Sequence, residues 1–305
     1  MLADTAVGPL ASVPHEPGVD KPDPILVVEG MRRSFGGLLA VDVEKMSIQR
    51  GLITALIGPN GAGKTTLFNL LTGFDEPDTG TTIFNGQDVS GTPPYRLAKQ
   101  GMVRTFQLTK SLTRLSVMEN MKLGASEQRG EAFLRAVLPF MWRDQDDEIE
   151  ERAEGLLEHF KLSHMRDEYA GTLSGGQRKL LEMARALMAQ PSLVMLDEPM
   201  AGVNPALTQS LLEHVKSLRE VGITVVFVEH DMDVVRDISD WVVVLAEGRV
   251  ISEGPPHVIG LDPAVIDAYL GAHHDAPLTE EQEEQQIAIA EAELAEADEP
   301  EEEPA

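Results

Sequence analysis

Leu52-Ile53-Thr54-Ala55-Leu56-Ile57-Gly58-Pro59-Asn60-Gly61-Ala62-Gly63-Lys64-Thr65-Thr66-Leu67-Phe68-Asn69-Leu70-Leu71 decides the fold. Leu52–Ile57 is an apolar run of strand length, and the segment from Thr65 onward has helical spacing. Between them, Gly58 to Thr65 fits G-x-x-x-x-G-K-[ST]. The chemistry needs this order. Glycines let the backbone curl so that several N–H groups face phosphate oxygens. A helix start adds its positive dipole end. Lys64 offers a point charge to the outer phosphates, and the Thr65 hydroxyl suits Mg²⁺. A glycine-rich turn that binds nothing would need neither the strand before nor the helix after. The expected nucleotide-binding residues are Gly58, Pro59, Asn60, Gly61, Ala62, Gly63, Lys64, Thr65 and Thr66.

Leu193-Val194-Met195-Leu196-Asp197-Glu198 is a second apolar strand, ending in two carboxylates. Ligands gather at the carboxyl ends of parallel strands. Side chains alternate along a strand, so the two acids can divide the work. Asp197 is expected to serve Mg²⁺ and Glu198 to polarise the attacking water as a general base. A solvated acidic turn would look the same in isolation. The phosphate loop upstream gives the pair its chemistry.

Outward from these two segments, short apolar runs such as Thr224–Val228 alternate with helical patterns, which predicts α/β architecture with buried parallel strands. Ile25–Val28 and Ile83–Asn85, with the Asn85-Gly86 turn, predict an antiparallel layer. Helical, charged sequence runs from about Val117 to Met165, and Pro139 breaks the apolar stretch Ala136–Trp142. A disordered leader is expected over residues 1–23. A body follows over 24–272, and an acidic tail without a core over 273–305.

The chain has 305 residues, no cysteine and a net charge of −26. Zero cysteine removes disulfides, thiolate metal sites and a cysteine nucleophile, and a reduced compartment is the natural reading. Ala276–Ala305 holds eleven Glu, one Asp and no Lys or Arg, yet the rest is still acidic. The basic footprint of a nucleic-acid binder is missing. No run approaches the roughly 18 apolar residues of a spanning helix. Met1 to Asp23 lacks a basic start with an apolar segment, so a secretory signal is not expected. Any membrane link is expected to pass through another protein.

Leu173-Ser174-Gly175-Gly176-Gln177 precedes a helical pattern with Leu180, Leu181, Ala184 and Leu187 on one side. It stands between the phosphate loop and the Asp-Glu strand end. In that order these motifs resemble the ATP-binding cassette family, over about Ile25 to Gly271. The resemblance implies a P-loop NTPase core with an antiparallel β subdomain and a helical insert at about 117–190. It makes Leu173–Gln177 the signature that meets ATP held by an opposite chain. It makes Gln107, after Arg104-Thr105-Phe106, the glutamine loop that bridges Mg²⁺ and the insert. It makes His230 the switch histidine and Phe35 the aromatic that stacks on adenine, although a core aromatic would look the same. Asn204 stands where most cassettes place the D-loop Asp.

Phe35–Val41, Gly101–Gln107 and Ala201–Pro205 resemble the ATP-binding subunits of branched-chain amino acid importers, the LivG type. That subgroup implies ATP and Mg²⁺ as cofactors. Its partners are a second cassette ATPase subunit, in a homo- or heterodimer, transmembrane permease subunits and, indirectly, a solute-binding protein. It also implies a place on the cytoplasmic face of the cell membrane. The signature here has the general Leu-Ser-Gly-Gly-Gln form, whereas many LivG-type chains carry an aromatic inside it. Urea or amide importers share much of the pattern; lipid exporters share the core but usually lack Arg-Thr-Phe-Gln, and non-transport cassette ATPases usually hold two cassettes in one chain or a coiled-coil insert. The acidic tail could bind a basic patch and tune activity, or simply be solvated.

Overall fold

The structure, a computed structural model, describes residues 8–105, 112–125, 143–203 and 205–274. The expectations for Gln107, Pro139, Trp142, Asn204 and the acidic tail fall outside them.

The elements are β1 (Pro24–Phe35), β2 (Leu38–Gln49), β3 (Ile53–Ile57), α1 (Lys64–Leu71), β4 (Thr79–Phe84), β5 (Gln87–Asp88), α2 (Pro94–Lys99) and β6 (Met102–Arg104). There follow α3 (Val117–Lys122), α4 (Arg143–His159), α5 (Gly175–Leu187), β7 (Leu193–Asp197), α6 (Pro205–Glu220) and β8 (Thr224–Val228). The chain continues through α7 (Met232–Ile238), β9 (Trp241–Ala246), β10 (Arg249–Gly254), α8 (Pro256–Ile259) and α9 (Pro263–His274).

Two sheets result. One is antiparallel, in the order β2-β1-β4-β5. The other runs β10-β9-β3-β8-β7-β6, parallel from β9 to β6, with β10 antiparallel at its edge.

The parallel strands are buried on both faces, so their sequences are continuously apolar rather than alternating. Alternation survives in where each side chain goes. Ile53, Ala55 and Ile57 of β3 join a helical core with α3, α4, α5 and α6. Leu56 joins the opposite core, with α1 and the antiparallel sheet. Val194 and Leu196 against Leu193 and Met195 on β7 repeat the division, as do Val225 and Phe227 against Val226 and Val228 on β8. One strand thus seals two layers.

The leader differs from its expectation. From Gly8 onward it is packed: Leu10 and Val13 are buried in the α1-side core. Lys21 forms a buried ion pair with Glu253 of β10 at 2.6 Å, over the Trp241 ring. Trp241 Nε1 donates to the same carboxylate at 2.9 Å, and the Val19 amide donates to its other oxygen at 3.0 Å. Composition alone predicts solvation. Two apolar anchors and one complementary buried acid reverse it, because an unpaired buried Glu253 would be costly.

Candidate functional site

The loop after β3 is built from backbone constraint. Gly58, Gly61 and Gly63 have φ of 151°, 80° and 95°. A Cβ on Gly58 would stand 2.0 Å from the Leu245 carbonyl oxygen, and one on Gly63 would stand 2.3 Å from that of Ala40. Only glycine fits either position. Gly63 caps α1 without a side chain, so the first amides of the helix keep no side-chain partner from the cap. Lys64 Nζ folds back to donate to the Gly58 and Pro59 carbonyls at 2.6 and 2.9 Å. Burial pushes the Lys64 ammonium pKa below its ordinary value, and the nearby Glu198 carboxylate opposes this. Thr65 is exposed at the helix start and Thr66 half-buried.

Two parallel strands, β7 and β8, deliver the remaining groups to the same end of the sheet. Asp197 closes β7 in register with Val228 of β8, and the Glu198 amide donates to the Val228 carbonyl at 3.1 Å. Glu198 itself has φ 45°, an uncommon conformation for a residue with a side chain. His230 follows β8 with its side chain 68% exposed. It sits above Glu229, which is 2% exposed. Burial raises the Glu229 carboxyl pKa, opposed by the Met200 and His230 amides. Glu229 Oε1 accepts from the Met200 amide at 3.0 Å, so the loop after Glu198 and the loop carrying His230 share one buried acid.

Phe35 is a surface residue at the β1–β2 turn, 48% exposed, with the Arg33 guanidinium 4.7 Å from its ring centre. It is not a core aromatic.

The Leu173–Gln177 segment is a helix start of a different kind. Leu173 is buried and Ser174 is the N-cap of α5. The Gln177 amide donates to Ser174 Oγ at 3.3 Å, and the Ser174 amide donates to Gln177 Oε1 at 2.9 Å, a reciprocal capping box. Gly176 packs against Leu207 with no room for a Cβ, while a Cβ on Gly175 would meet open space. Ser174 makes no hydrogen bond to Gly58–Thr66 among the described residues. Lys179, little more than one turn along α5, donates to the Pro199 carbonyl at 2.8 Å and to that of Ala201. The signature helix is thereby tied to the loop after Glu198. Burial lowers the Lys179 pKa, opposed by Glu229, Glu182 and Glu198.

Three of these polar ties escaped sequence reasoning: Arg104, Glu229 and Lys179. Arg104 Nη2 donates to Asp197 Oδ2 at 2.6 Å, with side chains 7% and 11% exposed. A lone basic residue ending a short apolar strand, and an acid directly before His230, were the available signals. Tyr269 of α9 was also missed. Its buried hydroxyl lies near the Gly58 amide, and burial pushes the phenol pKa up while that amide opposes it.

Together these groups place a glycine loop before a helix start, a carboxylate pair and a histidine at the carboxyl end of the parallel strands. Hard oxygen donors are present in the Thr65 hydroxyl and the Asp197 carboxylate, whereas no cluster of three or more His, Asp or Glu that could hold a metal occurs among the described residues. That donor set fits Mg²⁺, which keeps waters and takes phosphate oxygens rather than needing a full protein cage.

The comparisons agree with this geometry. Residues 41–201 match the family described as ABC transporter, and residues 249–275 match the branched-chain amino acid ATP-binding cassette transporter family. A probable branched-chain amino acid transport ATP-binding protein LivG of Archaeoglobus fulgidus is 42% identical over 248 residues, covering 81% of this chain and 96% of that protein. BraF of Pseudomonas aeruginosa, a high-affinity branched-chain amino acid transport ATP-binding protein, is 40% identical over 81% of this chain and 98% of its own. A crystal structure of the ADP conformation of an ATP-binding cassette of an ABC transporter superposes with a TM-score of 0.71 at 39% identity, covering 81% of this chain and 99% of that one. The chain belongs to the ATP-binding cassette family of ABC transporters, and its fold is the cassette ATPase fold.

Proposed function

We propose that this chain hydrolyses ATP to drive an importer of branched-chain amino acids, as one of two cassettes bound to transmembrane permease subunits. The reading rests on one observation: Lys64, Asp197, Glu198 and His230 follow or close the adjacent parallel strands β3, β7 and β8 at their common carboxyl end, with Lys64 close enough to feel the Glu198 charge. The subgroup assignment draws on the match over residues 249–275 and on the named relatives.

In this mechanism the backbone N–H groups of the Gly58–Thr66 loop, Pro59 excepted, and Lys64 bind the triphosphate, and Phe35 stacks on adenine. Glu198 accepts the proton of the attacking water, and His230 senses the γ-phosphate. Thr65 and Asp197 would hold Mg²⁺, which would neutralise charge on the β- and γ-phosphates; Gln107 is a further expected ligand. Leu173–Gln177 caps the nucleotide of an opposite cassette, with Asn204 beside the shared interface. Membrane attachment then comes through the permease, on the cytoplasmic face. Among the described residues no helix is long and apolar enough to cross a membrane.

The test is co-purification with the chains encoded beside it, reconstitution in vesicles, and ATP turnover with each candidate solute and its binding protein. Stimulation by leucine, isoleucine or valine is expected. Stimulation by urea or short amides instead would overturn the cargo assignment and leave the ATPase reading intact.

A further inference from the structure

Arg104 ends β6, the edge strand that pairs with β7. Its guanidinium is fixed from three sides. Nη2 donates to Asp197 Oδ2 at 2.6 Å. Nη1 donates to Asn69 Oδ1 at 2.7 Å and to Thr72 Oγ1 at 3.1 Å, both at the far end of the phosphate-loop helix. The Phe68 and Phe74 rings each lie 5.6 Å from its central carbon. No basic residue occurs in the last turn of α1, so Arg104 also supplies the cation that this helix end favours.

We propose that Arg104 is a positioning residue that locks Asp197 in the orientation used at the Mg²⁺ site, by bridging it to the phosphate-loop helix. This rests on the assignment of Asp197 to Mg²⁺ given above. The bridge commits Oδ2 and leaves Oδ1 to accept from a metal-bound water. It also fixes the distance between the helix that carries Thr65 and the strand that carries Asp197, the two donors assigned to Mg²⁺ above. A planar fork between two aromatic rings does this better than a flexible ammonium.

There is an opposing effect. A guanidinium beside Asp197 also weakens its attraction for a cation, so Arg104 could instead compete with the metal. Geometry favours positioning. The carboxylate is nearly buried, and without its donor it would have to find another partner.

The experiment measures the affinity of a fluorescent ATP analogue with excess EDTA and again with Mg²⁺, in the wild type, Arg104→Met, Arg104→Lys and Asn69→Ala. For Arg104→Met the metal-free affinity is expected within about twofold of wild type, while the gain on adding Mg²⁺ shrinks about tenfold. Arg104→Lys should restore part of that gain. Asn69→Ala, which only loosens the anchor, should lose about threefold of it, and it keeps the test available if Arg104→Met does not fold. An undiminished or enlarged Mg²⁺ gain in Arg104→Met overturns the proposal, the second outcome meaning competition. An equal loss with and without metal also overturns it, because Arg104 would then be plain scaffolding. No Mg²⁺ gain in the wild type itself would remove the Asp197 assignment along with the proposal, and is told apart by appearing without any substitution.

Discussion

The two faces of the parallel sheet are built differently. On one face lie the phosphate loop, α1 and the antiparallel sheet, and the leader is clasped there by a buried ion pair. On the other lie α3 to α6 and the signature tip, held by apolar packing with a small aromatic cluster of His159, Phe160 and His214. Gly58 and Gly63 on the first face are hemmed in by backbone, whereas Gly175 on the second faces open space. The first face is completed within the chain. The second is complete as a helix cap and leaves Gly175 facing open space, which fits the proposal above that this tip meets a second chain.

The sharpest way to break this contrast is Glu198→Gln. If the phosphate-loop side holds its own general base, turnover should fall by at least about 100-fold while ATP affinity changes less than about threefold. Phosphate release and equilibrium titration measure the two. Near-normal turnover would assign the base elsewhere.

Lys21→Met tests the clasp. It leaves Glu253 buried with the Val19 and Trp241 donors but no cation, and breaking such a pair costs about 3–5 kcal/mol. Urea unfolding should show a loss of that order. A change below about 1 kcal/mol would mean that the leader is only laid on the surface.

The helical face should be the one that acid loosens. Burial lowers the His214 pKa from 6.5 to about 4, with the neighbouring His159 and Lys161 adding to the shift. The folded value lies below the unfolded one, so the unfolded chain takes the proton first. This stabilisation is complete above about pH 6.5 and is lost as pH falls toward 4, at most about 3 kcal/mol. His214→Gln should flatten the acid limb of a stability–pH curve. An unchanged limb would place the acid sensitivity elsewhere.

Smallest, and closest to the contrast itself, is a pair of glycine substitutions. Gly63→Ala forces a side chain into a left-handed position against the Ala40 carbonyl, costing about 1–2 kcal/mol from backbone strain alone. It should weaken ATP binding about tenfold or more. Gly175→Ala meets nothing, so thermal stability should hold within about 0.5 kcal/mol. Its turnover should nevertheless drop in the assembled transporter, because the added methyl crowds the tip offered to a partner. Normal turnover would argue that the tip contacts no nucleotide.

Much of this was legible from residue order, because the governing interactions are local. A glycine loop between an apolar strand and a helix specifies its own backbone, and a Ser with Gln three residues on specifies its own cap. Strand boundaries shifted only slightly: the run read as Leu52–Ile57 forms its strand at Ile53–Ile57, and the run read as Leu193–Glu198 forms its strand at Leu193–Asp197.

The sequence by itself determined the glycine loop between β3 and α1, the paired acids at a strand end, the helix capped at Ser174 and the layered α/β class, since each depends on neighbours within a few positions. Only the tertiary structure decided that Arg104 meets Asp197, that Glu229 joins the loop after Glu198 to that of His230, and that the leader closes on Glu253. These partners stand 93, 29 and 232 residues apart for Arg104–Asp197, Met200–Glu229 and Lys21–Glu253. No periodicity spans such distances. Burial makes each pairing obligatory, because a charge taken out of water must find its complement wherever the fold brings one.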